Sequence, residues 1–250
     1  MNPARPNTNL SNGLIQADVI LVCGEDEAEL LSALKAVRPE IVPQSIHRYR
    51  CYHFWDCQTF TLIWTGIGTG CLEPLLYEIL DIPTLQRILL MGTAGATDYG
   101  KLTLMKGRAY AMAAASPFAA GVTPVSNEPL APVWNQPLPA DVQTATIVST
   151  DYYYGYSPKT DARTLKLIAN DVNLARGRAE TLPQVQLVDM ETAQFYHFCR
   201  LLGLPGLQYI AIKGPANIVG DFGEQNLHSG AVLEASLQIA TRLLQSGQTD

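Results

Sequence analysis

The sequence predicts an α/β fold, a mixed central sheet flanked by helices within a single domain. Two observations carry that expectation. Short continuous apolar runs, Asp18–Cys23 (DVILVC), residues 87–91 (RILLM) and residues 207–213, have the length and composition of strands buried on both faces. Between such runs the apolar residues switch to helical spacing, as at Ala28, Leu31 and Leu34. No repeat, low-complexity segment or linker divides the chain. One domain over residues 17–250 is therefore expected. The preceding residues 1–16 are polar, rich in Asn and Pro and without the apolar core of a signal peptide, and are expected to form a flexible arm.

In chain order, Gly24 ends the first strand and a helix follows to about Val37, closed by Pro39 and Pro43. Residues 46–64 hold two extended stretches around Trp55, which predicts a hairpin inserted on the fold. A glycine turn from Gly66 to Gly70 leads into a helix over 71–80. The RILLM strand is expected to end at the turn Gly92-Thr93-Ala94-Gly95. A strand near 106–114 precedes a long Pro-rich loop. Strands over 146–150 and 184–188, and helices over 161–170 and 190–202, continue the alternation. The strand over 207–213 is closed by Gly214-Pro215, and the last helix spans 228–244.

Composition narrows the function. The chain has 17 Lys+Arg against 23 Asp+Glu, a net charge of −6. An acidic chain with no basic run is a poor nucleic-acid binder. Charged residues are only 16%, below the ~25% usual for globular proteins, which excludes a disordered chain or a coiled coil. Five cysteines, an odd number without a CxxC, indicate small buried hydrophobes in a reducing, cytoplasmic setting rather than a disulfide framework. Apolar runs fall short of the ~18 residues that a membrane span needs. His47, His53, His197 and His228 show no metal-ligand spacing.

In an α/β sheet, ligands collect where strands end. Singly, the residues there have ordinary explanations. Glu25 and Asp26 suit a helix dipole, glycines form turns, tyrosines pack, and Glu191 opens a helix. Their order is more informative. Gly-Ile-Gly, Gly-Thr-Ala-Gly, Ser-x-Asp-x-aromatic, Asp-Met-Glu-Thr-Ala and Lys-Gly-x-Ala-Asn occur in succession on strand ends.

With Met91 to Ala96 and Val188 to Ala193 as its most specific pieces, the chain resembles the purine nucleoside phosphorylase and nucleosidase family, which includes the methylthioadenosine/adenosylhomocysteine nucleosidases. The resemblance runs from about Asp18 to Leu244. It implies a nucleoside phosphorylase-like fold and cleavage of the N-glycosidic bond of a purine nucleoside. It also implies a homodimer or larger homo-oligomer with no cofactor, phosphate being co-substrate in a phosphorylase. Carried over residue by residue, Glu191 is the carboxylate for the ribose hydroxyls and Met190 the apolar contact on the sugar. Tyr153 stacks on the base, and the backbone of Tyr154 meets its edge. Thr93, with Ala94 and Gly95, forms the phosphate or water site, and Glu27 is the acid that activates water.

Three departures from the family pattern shape the expectation. Leu90 stands where phosphorolytic members carry a phosphate-binding Arg, and the turn after the first strand has none, which favours hydrolysis. Lys213 replaces an Arg near the water. Asn217 replaces the Asp that protonates N7 of adenine. An amide cannot give that proton, but it can donate to a 6-oxo group and accept from N7–H, so a 6-oxopurine leaving group is expected. Asp221 is the alternative acid. A phosphate-dependent phosphorylase and a nucleoside-binding protein without turnover remain the competing readings; a Rossmann-type cofactor protein lacks the glycine fingerprint.

Overall fold

The computed structural model describes residues 5–117, 129–150, 185–218 and 225–246. The first strand, β1 (Asp18–Cys23), is buried along its whole length. Its side chains alternate between two cores, Val19 and Leu21 facing one, Ile20 and Val22 the other, which is why the run is continuously apolar. The chain continues through α1 (Glu27–Val37), β2 (Gln44–Tyr49), β3 (Tyr52–Asp56), β4 (Thr61–Thr65) and α2 (Thr69–Ile79). Then come β5 (Arg87–Ala96), α3 (Asp98–Thr103), β6 (Tyr110–Pro117), β7 (Thr144–Ser149) and β8 (Leu187–Asp189). The described part ends with α4 (Thr192–Leu202), β9 (Gln208–Ile218) and α5 (Gln225–Gln245).

All nine of these strands form one mixed sheet in the order β2-β3-β4-β1-β5-β8-β7-β6-β9. Helices α2 and α4 supply Leu72, Leu75, Leu76, Phe195 and Tyr196 to one core. Helices α1 and α5 supply Leu30, Leu34, Leu233 and Leu237 to the other. Strand β9 pairs with both β6 and β5, so half of the sheet closes on itself instead of staying open.

Several sequence expectations need correction. The hairpin is no insertion: β3 runs antiparallel to β4, which lies parallel to β1, so three strands extend the main sheet. Strands β5 and β9 do not stop at Gly92 and Gly214. They run on in parallel, from Arg87 opposite Gln208 to Ala96 opposite Ile218. Their register slips between Ala94 and Gly95, opposite Pro215 and Asn217, and such an irregularity is where a strand tolerates proline.

Residues 5–16 are anchored rather than free. Buried Glu78 accepts from the Asn7 and Thr8 amides at 2.5 and 2.8 Å and from Thr8 Oγ1 at 2.6 Å, and Leu10 is fully buried. All five cysteines are free thiols, but Cys51 and Cys71 are only half-buried, unlike Cys23, Cys57 and Cys199. The expected helix over 161–170 lies outside the described residues.

Candidate functional site

The ends of β1 and β8, the middle of β5 and β9 and the start of α2 converge on one ammonium. Lys213 of β9 is 1% exposed. Its Nζ lies 3.2 Å from Asp189 Oδ2 and 3.3 Å from Glu191 Oε2. Burial by itself would lower the pKa of Lys213, but Glu191 and Asp189 outweigh it and hold the ammonium protonated.

Glu191 occupies the N-cap position of α4 without capping it. Asp189 takes over that work, accepting from the Thr192 amide at 3.1 Å and from the Thr192 and Ser149 hydroxyls. The Glu191 carboxylate is thereby released toward the site. Its Oε1 accepts from the Gly68 amide at 2.9 Å, at the N-terminus of α2, where the helix dipole favours an anion. Gly68 has φ +80, and a Cβ there would lie 3.4 Å from Met190 Cε. Burial raises the Glu191 pKa, and Lys213 works against that rise.

Glu25, just past β1, faces the same cluster. Its Oε1 accepts from the Thr93 amide at 2.6 Å and from Thr93 Oγ1 at 2.8 Å. Desolvation raises its pKa, against the pull of the Thr93 hydrogen bonds and Lys213. Gly92 makes the approach possible. Its φ is +148, and a Cβ there would stand 3.0 Å from Glu25 Oε1 and 3.5 Å from Lys213 Nζ, a conformation and a gap that suit glycine.

Structure and sequence expectation differ on the acid near Thr93. Glu27, the expected water-activating residue, is engaged elsewhere: Oε1 pairs with His53 Nδ1 and Oε2 with Arg48 Nη2, each at 3.0 Å. Glu25, read from sequence as a helix-dipole carboxylate, holds Thr93 instead. Its signal was its place directly after the Gly24 that ends a buried strand. Asp26 does serve the helix, accepting from the Glu29 amide at 2.9 Å. The structure brings Thr93, Met190, Glu191 and Lys213 together, with Ala94 and Gly95 continuing β5 beside them. Tyr153, Tyr154 and Asp221 lie outside the described residues.

Asn217 is 2% exposed on β9, opposite Gly95. Its Nδ2 has no hydrogen-bond partner among the described residues. A buried donor left unpaired costs about 1–3 kcal/mol, so this orphaned amide, four residues along β9 from Lys213, invites a ligand acceptor.

Chemically, the described residues place three carboxylates around one ammonium. Such a site suits hydroxyl donors and a developing positive charge better than a second anion. Among the described residues no cluster of His, Cys, Asp and Glu could hold a metal ion, and no helix is long and apolar enough to cross a membrane.

A family model described as the phosphorylase superfamily matches residues 18–246. No curated protein sequence matches the chain. Among solved structures, purine nucleoside phosphorylase from Toxoplasma gondii in complex with immucillin-H is similar, with a TM-score of 0.67, 15% identity and 98% of each chain covered. A methylthioadenosine/adenosylhomocysteine nucleosidase from Colwellia psychrerythraea with adenine has a TM-score of 0.63 at 16% identity, covering 92% of this chain and 96% of its own. Futalosine hydrolase of Helicobacter pylori has a TM-score of 0.57 at 15% identity, covering 94% and 97%.

Proposed function

Because the chain belongs to the phosphorylase superfamily, a family of enzymes, we propose that it cleaves the N-glycosidic bond of a purine nucleoside by hydrolysis and releases a 6-oxopurine. The observation that carries hydrolysis is Glu25. Its carboxylate already occupies both Thr93 donors, where a phosphate would need them. An incoming phosphate would also meet a site rich in carboxylates, with no arginine among the described residues in contact with it. A water beside Thr93 and Glu25 would instead find a carboxylate whose pKa burial raises, which strengthens it as a proton acceptor.

In this reading Glu191 accepts from the ribose hydroxyls and steadies the oxocarbenium ion as the bond breaks. Lys213 fixes that carboxylate, and Met190 lies against the sugar. Asn217 donates its free N–H to the 6-oxo oxygen and accepts from N7–H. Tyr153 stacks on the base, the Tyr154 backbone meets its edge, and Asp221 is the reserve acid; these three assignments rest on sequence motifs alone. No cofactor takes part, and the enzyme works in the cytoplasm. The exposed apolar side chains Tyr77, Tyr99, Leu102 and Met105 support a homodimer or larger assembly; a light-scattering mass of 27.3 kDa, that of one chain, would contradict it.

The base assignment is tested by kcat/KM for inosine against adenosine. The unmodified protein is expected to favour inosine, because adenine turns an amino group toward the Asn217 donor. Asn217→Asp is expected to shift the ratio toward adenosine, since a protonated carboxyl can deliver a proton to N7. A preference of the unmodified protein for adenosine would displace Asn217 from this role in favour of Asp221.

A further inference from the structure

Away from the Lys213 cluster, we infer that β2, β3 and the first turn of α1 carry a second hydrolytic site, in which Ser45, His53 and Glu27 form a serine–histidine–carboxylate relay that cleaves small carboxylic esters. Ser45 Oγ lies 2.8 Å from His53 Nε2, and His53 Nδ1 lies 3.0 Å from Glu27 Oε1. A carboxylate only accepts, so Nδ1 carries the proton toward Glu27 and leaves the neutral Nε2 to accept from Ser45. The ring is held in place: His53 is 7% exposed and packs on Trp55 with centroids 3.8 Å apart. Glu27 is fixed from its other oxygen by Arg48 at 3.0 Å.

Ser45 itself is exposed. It lies on β2, the edge strand of the sheet, where an incoming carbonyl has access. The β2–β3 register slips between Ser45 and His47, so Ile46 has no counterpart on β3. Bulges of this kind leave backbone groups out of the ladder and occur beside active sites. The Ile46 amide directly follows the nucleophile, the position from which backbone donors serve an oxyanion.

In the reaction, Ser45 Oγ bonds to the ester carbonyl carbon while its proton passes to His53 Nε2. The carbon–oxygen bond to the alcohol then breaks, and His53 returns the proton to the departing alcohol. Water, deprotonated by His53, cleaves the acyl-serine to the carboxylic acid and restores the hydroxyl. Glu27 is a positioning residue that holds the imidazole tautomer.

The full chain is treated with p-nitrophenyl acetate and, separately, with a fluorophosphonate. The expected results are a burst of about one p-nitrophenolate per chain and a single phosphonyl adduct on the peptide containing Ser45. Ser45→Ala abolishes both while purine release from inosine is unchanged, which separates this site from the nucleoside site. Glu27→Gln retains the shape of the side chain but slows acylation about a hundredfold or more, by analogy with loss of the acid in known triads. Absence of an adduct at Ser45, or equal ester hydrolysis by Ser45→Ala, overturns the proposal.

Discussion

Glu25 and Glu191 both look toward Lys213, but they meet different parts of the chemistry and respond to pH differently. If Glu25 activates water, it must be ionised. Burial lifts its pKa above the ordinary carboxylate value of ~4.3, so kcat/KM for base release should fall with acidification on a limb shifted upward from that value. Glu25→Gln is expected to lose most turnover and that limb with it, whereas Glu27→Gln retains both. The sign for stability is opposite. A carboxyl with a raised folded pKa contributes stability that is complete below its unfolded pKa and is lost as pH rises through the folded one. Glu25→Gln should therefore melt no lower than the parent at neutral pH. Glu191→Gln keeps α4, because Asp189 and not Glu191 caps it, yet should raise the barrier by about 2–4 kcal/mol through loss of charge stabilisation. Turnover of Glu25→Gln equal to the parent across the pH range would remove Glu25 from the mechanism.

At the level of elements, legibility followed local pattern. β1 and α1 announce themselves, the first by a continuous apolar run and the second by helical spacing closed by prolines. The ends of β5 and β9 do not, because glycine and proline ordinarily stop strands. Here the two strands pair with each other through those residues, a long-range fact that no local window contains. The same holds for the site. The Asp-Met-Glu motif pointed to Glu191, but only the fold decides that Glu25 rather than Glu27 reaches Thr93, since the two lie within one turn of each other. The N-terminal segment is a further case. Its polar composition suggests a free arm, yet Glu78 of α2 gathers three of its donors. Glu78→Ala would leave the buried Thr8 amide and hydroxyl and the half-buried Asn7 amide without this acceptor and is expected to cost about 2–4 kcal/mol, from a penalty of about 1–3 kcal/mol per buried group. Urea denaturation measures this; an unchanged midpoint would mean that the segment is not held by Glu78.

For the molecule as a whole, the sheet brings the ends of β1 and β8 to the middle of β5 and β9, and the mutual pairing of β5 and β9 keeps Thr93, Lys213 and Asn217 on adjoining strands. The site at its centre is acidic where a phosphate-using enzyme needs positive charge. Hydrolysis of a purine nucleoside is tested by incubating the protein with inosine in the presence and absence of phosphate and identifying the sugar product. Hypoxanthine and free ribose are expected at the same rate in both conditions. Base release that requires phosphate and yields ribose-1-phosphate would contradict hydrolysis.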